Sequence, residues 1–381
     1  MKKTLCFGIM AAAISFSMIS CDPAPKQSLT VSGLDAQNFF TDSTALFVLT
    51  NANGMEVCFT NFGGRIVSIM VPDKDGNLQD VCLGHDNIQD YEKYGAEGCN
   101  FGALIGRYGN RIAKGQFSLD DESYQLPINN GPNSLHGGGP VAFHNRIWIA
   151  NKVDDQNLEF KTTSADGEDG YPGNIEVKVT YTLTDENALQ ITYEATTDKA
   201  TVLNLTNHCY FNLSGDASKD CLDEILTLDA DSITAVDADV AVTGEVLAVE
   251  GTPFDFRTET AIGDRIDDTS SEQIMNGKGY DHNWILNTKG DITKAFGTLY
   301  DPNSGIFMEM FTDQPGVQFY AGNFLDGSFV GKKGVKYPRR SAFCFESQHY
   351  PDSPNHPEWP STTLRPGEKY FTTTIYKFST K

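Results

Sequence analysis

The sequence predicts an all-β fold, a large antiparallel β-sandwich, and three observations support this prediction. Short segments that alternate apolar and polar residues recur along most of the chain. The turn-forming residues, 35 glycines and 16 prolines, punctuate these segments. Amphipathic helices of ten or more residues are hard to find. Strands at this density favour a sandwich over a fold that alternates helices and strands.

The alternating segments predict strands from the start of the domain to its end. They are 45–49, 56–60, 175–181, 189–193, 225–228, 305–311 and 370–378. The first two flank Asn53-Gly54, a dipeptide that favours a tight hairpin turn. Residues 175–181 alternate apolar and polar side chains throughout, and 189–193 form their predicted hairpin partner. No linker divides the chain, so residues 41–381 are predicted to form one domain.

The N-terminus is predicted to be a lipoprotein signal peptide over residues 1–20. Lys2 and Lys3 precede an apolar stretch that is too short for a comfortable membrane span. The stretch ends at Ser20-Cys21, which resembles a bacterial lipobox, so we expect Cys21 to carry lipid; plain secretory cleavage near Ser20 is the alternative. Residues 21–40 are then the lipidated cysteine and a flexible tether. The expected location is the bacterial cell envelope, on the periplasmic side or in the outer membrane.

The charge balance restricts the partners of the protein. With 51 acidic and 29 basic residues, the formal net charge is -22, which makes nucleic acids and acidic lipid surfaces poor partners. A neutral small molecule is unaffected by this charge. The nearest approach to a basic cluster is Lys332, Lys333, Lys336, Arg339 and Arg340. We interpret that run as a solvated loop.

The cysteines indicate neither a disulfide framework nor a metal centre. Six remain after Cys6 and Cys21, and most lie in apolar strand-like segments, where a buried free thiol is usual. No Cys-x-x-Cys motif occurs, so no structural zinc is predicted. His282, His349 and His356 have no spacing that supports a metal site.

Two distant segments carry candidate catalytic groups. His208 lies among asparagines and aromatic residues in a strand-like segment, and Glu346 lies in an otherwise apolar strand. An imidazole and a carboxylate on such supports are sufficient for general acid–base chemistry on a neutral polyol. A core histidine and a carboxylate on a solvated edge strand are the alternatives from the residues alone.

Four motifs together give the chain a family resemblance. The two segments around His208 and Glu346 combine with Ser-Leu-His-Gly-Gly around His136 and Gly-Tyr-Asp-His-Asn around Asp281. The chain thus resembles the aldose 1-epimerase (galactose mutarotase) family from about Leu46 to Phe378. The resemblance implies a twisted β-sandwich of many strands. It also implies interconversion of α and β anomers of aldohexoses such as galactose and glucose, by acid–base ring opening and reclosure without a cofactor or metal.

The resemblance also implies roles for particular residues. Glu346 is the expected general base on the C1 hydroxyl, and His208 the expected general acid on the ring oxygen. His136 is expected to contact the sugar near that oxygen, where the glycines that follow let the backbone approach a ligand closely. Asp281 is expected to accept hydrogen bonds from sugar hydroxyls.

Three further residues are expected to bind the sugar. Arg111 is the predicted sugar-binding guanidinium, with Asn110 beside it, and Arg107 is the less favoured arginine of the same segment. Gln318 is expected to bind another hydroxyl.

The sequence alone leaves three other functions open. The first is a non-catalytic sugar-binding lipoprotein of the envelope, although such a protein would not need an acid–base pair. The second is a relative that acts on a phosphorylated hexose, which would need arginines converging on the phosphate. The third is a glycoside hydrolase that uses Asp281 and Glu346, which would leave His208 without a role.

Overall fold

The structure is a computed structural model that describes residues 29–381, and β-strands make up most of its regular structure. In chain order the first strands are β1 Leu46–Thr50, β2 Glu56–Thr60, β3 Arg65–Pro72, β4 Leu78–Asp80, β5 Ala103–Ile105, β6 Arg111–Ile112, β7 Gln116–Leu119, β8 Glu122–Gln125, β9 Ser134–Leu135, β10 Ile149–Lys152, β11 Asn157–Ser164, β12 Ile175–Leu183, β13 Ala188–Thr197 and β14 Thr201–Val202. The remaining strands are β15 Thr206–His208, β16 Tyr210–Phe211, β17 Ile225–Leu228, β18 Ala230–Val236, β19 Val242–Ala248, β20 Thr260–Ala261, β21 Asp281–Leu286, β22 Gly297–Tyr300, β23 Ile306–Thr312, β24 Gly316–Tyr320, β25 Phe343–Gln348, β26 Thr363–Leu364 and β27 Tyr370–Thr380.

Helices are few and short. The α-helices are α1 Ile88–Ala96 and α2 Glu272–Gly277. The 3₁₀ helices are Ala36–Phe39, Ala113–Gly115, Phe143–Asn145, Glu168–Gly170, Ile262–Asp264, Lys332–Gly334 and Ser353–Asn355. Among residues 29–381, no helix has the length and apolar character needed to cross a membrane.

Two large antiparallel sheets dominate the architecture. One has nine strands in the order β10-β11-β12-β13-β27-β23-β22-β17-β20, and the other has six in the order β16-β25-β24-β21-β18-β19. A four-stranded sheet, β1-β2-β3-β4, adds to the structure. The predicted all-β sandwich is therefore confirmed.

Alternation along the strands explains how the sheets bury one face. In β12, Ile175, Val177, Val179, Tyr181 and Leu183 are buried, while the residues between them are more exposed. Successive side chains of a strand point to opposite faces, so this pattern places one face of the nine-stranded sheet in the core. The predicted hairpins β1–β2 and β12–β13 both form.

Aromatic side chains connect the sheets across the core. Phe211 of the six-stranded sheet packs on Tyr376 of the nine-stranded sheet, with ring centroids 4.8 Å apart. The hydroxyl of Tyr376 donates to the carbonyl of Phe345 at 2.8 Å. Because the buried hydroxyl has this partner, Tyr376 contributes its apolar ring without an unpaired polar group. The six predicted free cysteines are buried and unpaired.

Two segments differ from the sequence interpretation. The predicted signal peptide and Cys21 lie outside the described residues, but residues 29–40, placed in the tether, are described. Leu34 and Phe39 in this segment are buried, and Glu56 accepts a hydrogen bond from the backbone of Val31. The folded part of the chain therefore includes residues before 41.

The basic run 332–340 is not a uniformly solvated loop. Lys332 is buried and donates to a carboxylate oxygen of Asp80 at 2.6 Å. Arg340 is buried as well, and both its terminal nitrogens donate to Asp267. The solvated-loop interpretation was wrong for these two residues, because their acidic partners lie far away in the sequence.

Candidate active site

The six-stranded sheet has an apolar face and a polar face, and the candidate site lies on the polar one. Phe345 stacks on Phe319 of the neighbouring strand, and both belong to the apolar core. Glu346, the next residue of β25, points the opposite way and lines a cleft of about 430 Å³. The apolar strand around Glu346 is thus a core strand that presents one carboxyl group to the cleft.

His208 reaches the same cleft from the end of β15. This strand pairs with β5, and the chain then continues into β16, which pairs with β25. The change of pairing partner at Cys209 places the His208 side chain beside the Glu346 side chain. Nε2 of His208 lies 3.6 Å from Oε1 of Glu346, although 138 residues separate them in the sequence.

Burial shifts the protonation of both groups toward their neutral forms. Glu346 is 2% exposed, and burial raises its pKa well above the usual value; Asp281 adds to this shift, while Arg111 opposes it. His208 is 5% exposed, and burial lowers its pKa to about 3, with a further contribution from the charge of Arg65. Perturbed groups that face each other in a cleft are typical of a catalytic site.

His136 approaches His208 edge-on, with ring centroids 5.1 Å apart. Its Nδ1 accepts a hydrogen bond from the backbone N–H of Asn110 at 3.2 Å. Burial lowers the pKa of His136 well below its usual value, and the neighbouring His208 adds to the effect. The imidazole is therefore neutral, and its hydrogen is on Nε2.

The glycines after His136 let the loop pack closely against other parts of the protein. Gly137 has a φ of 93°, and a Cβ there would collide with the carbonyl oxygen of Gly106. A Cβ on Gly138, at φ 78°, would collide with Oγ of Ser134. Neither glycine lines the cleft. Close approach to other parts of the protein explains both glycines, and their approach to a ligand stays a prediction.

Of the remaining predicted binding residues, three line the cleft and one lies behind them. Asp281, Arg111 and Asn110 line the cleft, and Nε of Arg111 donates to Asn130 at 3.0 Å. Gln318 is not among the lining residues; its Nε2 donates to Oδ1 of Asp281 at 2.7 Å. Gln318 thus holds the Asp281 carboxyl from behind. Burial raises the pKa of Asp281, while Arg111 and Gln318 oppose the shift.

Arg107 points elsewhere. Its guanidinium donates to Oγ of Ser164 at 2.9 Å and to the carbonyls of Ala165 and Pro172. These bonds fix loops near Tyr171, so Arg107 does not line the cleft.

Sequence reasoning missed several residues that line the cleft. They include His144, Asn100, Asn129, Asn130, Tyr210, Tyr320 and Phe324. Asn129 and Asn130 form a polar turn shortly before His136, a signal that could have been followed. His144 and Phe324 stand in no recognisable pattern, and only the fold brings them to the cleft.

The arrangement of His136, His208 and Glu346 invites a test as a metal site. Their ligand atoms lie within 4.8 Å of one another, and two imidazoles with a carboxylate suit Zn²⁺ by residue type. However, Nδ1 of His136 accepts the N–H of Asn110, so its Nε2 carries a hydrogen. Neither nitrogen of His136 is free to ligate unless that bond breaks. The hydrogen bonding therefore fits proton transfer and hydrogen-bond donation better than metal binding.

Comparison with known proteins identifies relatives over most of the chain. The family model described as aldose 1-epimerase matches residues 45–377. Human galactose mutarotase is 44% identical over 329 residues, which cover 85% of this chain and 91% of the human protein. Aldose 1-epimerase of Escherichia coli K12 is 38% identical over 336 residues, covering 87% and 94% of the two chains.

Solved structures share the fold. The aldose epimerase homologue from C. elegans superposes with a TM-score of 0.81 at 31% identity, covering 88% of this chain and 99% of that chain. Galactose 1-epimerase from Lactobacillus acidophilus gives a TM-score of 0.77 at 28% identity, covering 93% and 98%.

Proposed function

The chain belongs to the aldose 1-epimerase family and is a mutarotase, and we propose that it works through Glu346 as general base and His208 as general acid. The single observation that supports these roles is the 3.6 Å approach of two buried, oppositely perturbed titratable groups in one cleft. The substrates are aldohexoses such as galactose and glucose.

Ring opening needs two proton transfers. The Glu346 carboxylate removes the proton of the C1 hydroxyl. The electron pair of the broken O–H bond then forms the C1 carbonyl. The bond between C1 and the ring oxygen breaks, and the ring oxygen takes a proton from Nε2 of His208. Rotation about C1–C2 followed by the reverse transfers gives the other anomer. Each positioned group typically contributes about 10²–10⁴-fold.

Burial of the pair favours this direction of proton transfer. Before ring opening, Glu346 is negative and His208 positive; afterwards both are neutral. Since burial disfavours the charged form of each group, it stabilises the state that holds the open-chain sugar. Reclosure restores the ion pair, so the pair returns to its starting protonation after each turnover.

The other polar groups of the cleft suit a neutral sugar. His136 donates from Nε2, Asp281 accepts from hydroxyls, and Arg111 with Asn110 orients the ring. Arg111 is the single Lys or Arg side chain among the lining residues, which disfavours a phosphorylated hexose as substrate.

The test of this function is polarimetry on fresh α-D-galactose and α-D-glucose. We expect the wild type to accelerate the decay of optical rotation over buffer, and E346Q and H208N each to lose at least about 100-fold in kcat. Circular dichroism of each variant serves as the control for folding. A wild type that binds sugar but matches the buffer rate would instead support a non-catalytic sugar-binding protein.

The proposal extends to the location of the enzyme. The basic residues, apolar stretch and Ser20-Cys21 junction support a lipid anchor on Cys21 in the cell envelope. There the enzyme would equilibrate anomers outside the cytoplasm. Expression with radiolabelled palmitate tests the anchor: we expect label in the wild type and none in C21A. An unlabelled wild type would leave the mutarotase proposal intact and remove the anchor.

A further inference from the structure

A thiol holds the imidazole of His208 on the side away from Glu346. Sγ of Cys344 lies 3.4 Å from Nδ1, while Nε2 lies 3.6 Å from Oε1 of Glu346. Cys344 and Glu346 are two residues apart on β25, so their side chains leave the strand on the same face. One strand therefore supplies the polar neighbour of each ring nitrogen.

The stacking of the ring does not by itself decide which nitrogen faces the cleft. Tyr210 stacks on His208, with centroids 5.0 Å apart and an interplanar angle of 22°. A stacked imidazole can still turn by 180° about its Cβ–Cγ bond, which returns the ring to the same plane and exchanges each nitrogen for a carbon. The contact between Nδ1 and Sγ distinguishes the two orientations, because a ring carbon makes a much weaker contact with sulfur.

The proton positions follow from the two neighbours. Burial favours the neutral forms of both groups, so in the empty site the one proton of the pair favours the Glu346 carboxyl and Nε2 of His208 presents a lone pair. A neutral imidazole then carries its hydrogen on Nδ1, directed at the sulfur of Cys344. Before ring opening the proton of the pair passes from Glu346 to Nε2, which gives the ion pair from which the sugar ring opens, and the Nδ1–H remains where it was.

We propose that Cys344 is a positioning residue for mutarotation: its sulfur accepts the Nδ1–H of His208 throughout the cycle, so that only the Nε2 proton moves. This inference rests on the proposed acid role of His208. Without the sulfur, the neutral ring can also adopt the tautomer with hydrogen on Nε2. In that tautomer Nε2 cannot take back the proton of the sugar during reclosure.

A thiol suits this position better than a carboxylate. A carboxylate would hold the same tautomer, but its charge would stabilise the imidazolium and weaken His208 as an acid. Burial raises the pKa of the Cys344 thiol well above its ordinary value, so the sulfur stays uncharged. It orients the ring without adding charge to the site.

The direct test reads the tautomer of His208 in the intact protein. Protein labelled with ¹⁵N-histidine is compared by NMR at pH 7 as wild type, C344A and C58A, and H208N assigns the resonances. Cys58 is the matched control, since it is buried in the same apolar cluster as Cys344 and contacts Glu56. We expect Nδ1–H in the wild type and C58A, and a shift toward Nε2–H in C344A. An Nε2–H tautomer in the wild type, or Nδ1–H retained in C344A, would overturn the inference.

Kinetics provide an independent test. We expect kcat of C344A to fall roughly 2- to 10-fold, the effect of losing one neutral hydrogen bond, with KM almost unchanged. C344S should recover part of the loss, since a hydroxyl oxygen also accepts, and C58A should keep wild-type kcat. A folded C344A with wild-type kcat would contradict the positioning role. By contrast, an inactive wild type or a fully active H208N would contradict the proposed function, whatever tautomer NMR shows.

Discussion

The backbone N–H of Asn110 donates to Nδ1 of His136 across 3.2 Å, and this bond assigns His136 a role different from that of His208. With its Nδ1 lone pair occupied, a neutral His136 donates from Nε2 and cannot accept there. The nearby His208 has Nε2 free to exchange a proton. Two imidazoles with centroids 5.1 Å apart therefore divide the work, one as a fixed donor and the other as the acid.

Replacing His136 should weaken sugar binding more than it slows the chemical step. H136L removes the donor, and we expect KM to rise roughly 5- to 10-fold, the effect of one lost hydrogen bond. H136Q keeps an amide donor near the position of Nε2 and should recover part of the loss. Polarimetric KM and kcat for both variants test this. An H136L variant with wild-type KM would show that Nε2 does not contact the sugar.

The acid limb of the pH profile should lie far below the ordinary histidine pKa. The active pair holds one proton, and acidification adds a second only as pH falls through the lowered pKa of His208, about 3. We therefore expect His208 to cause no decline of kcat/KM, which reports the free enzyme, between pH 7 and pH 4.5. A decline in this range that disappears in D281N belongs to Asp281, whose pKa is raised by burial. The measurement is polarimetry with the buffer rate subtracted, and tryptophan fluorescence at each pH confirms that the protein stays folded. A half-maximal value near pH 6.5 on the acid side would mean that His208 is not desolvated.

Regular elements were predictable where the pattern is local. Residues 175–181 alternate strictly, and they form part of β12, because a sheet with one buried face imposes a period of two. The Glu346 segment was harder: its apolar neighbours favour a core strand, but nothing local says which face the carboxyl occupies. The resemblance to a family, rather than periodicity, predicted that His208 and Glu346 share one site.

Contacts between residues far apart in the sequence were not predicted. Lys332 looked solvated because its partner Asp80 lies 252 residues away. The contact between Gln318 and Asp281 was not predicted, because it follows from the register of β21 and β24. Cys344 drew no attention as a partner of His208 either, since that contact spans 136 residues. Each of these contacts depends on which segments of the chain become neighbours, and the local sequence does not show this.

Asp281 and Gln318 should act as a unit. D281N removes a charged acceptor, and we expect KM to rise about 10-fold or more. Q318L leaves the carboxylate but removes its donor, so KM should rise by a smaller factor. Because Gln318 acts through Asp281, the KM of the double variant should be close to the KM of D281N. Additive effects in this double-mutant cycle would instead indicate that Gln318 contacts the sugar itself.

Two lysines of the basic run, Lys332 and Lys336, should differ sharply in their effect on stability. Lys332 donates to the carbonyl of Val67 at 2.8 Å and to Asp80, and both side chains of this ion pair are mostly buried. K332M leaves the Asp80 carboxylate without its counterion, and we expect the free energy of unfolding to fall by about 3 kcal/mol. Lys336 is exposed, so K336M should change the free energy of unfolding by less than about 0.5 kcal/mol. Urea unfolding of both variants and of K332M/D80N measures the difference, and the added D80N should restore part of the loss by removing the uncompensated charge. Equal stability of K332M and K336M would mean that the ion pair between Lys332 and Asp80 is solvated.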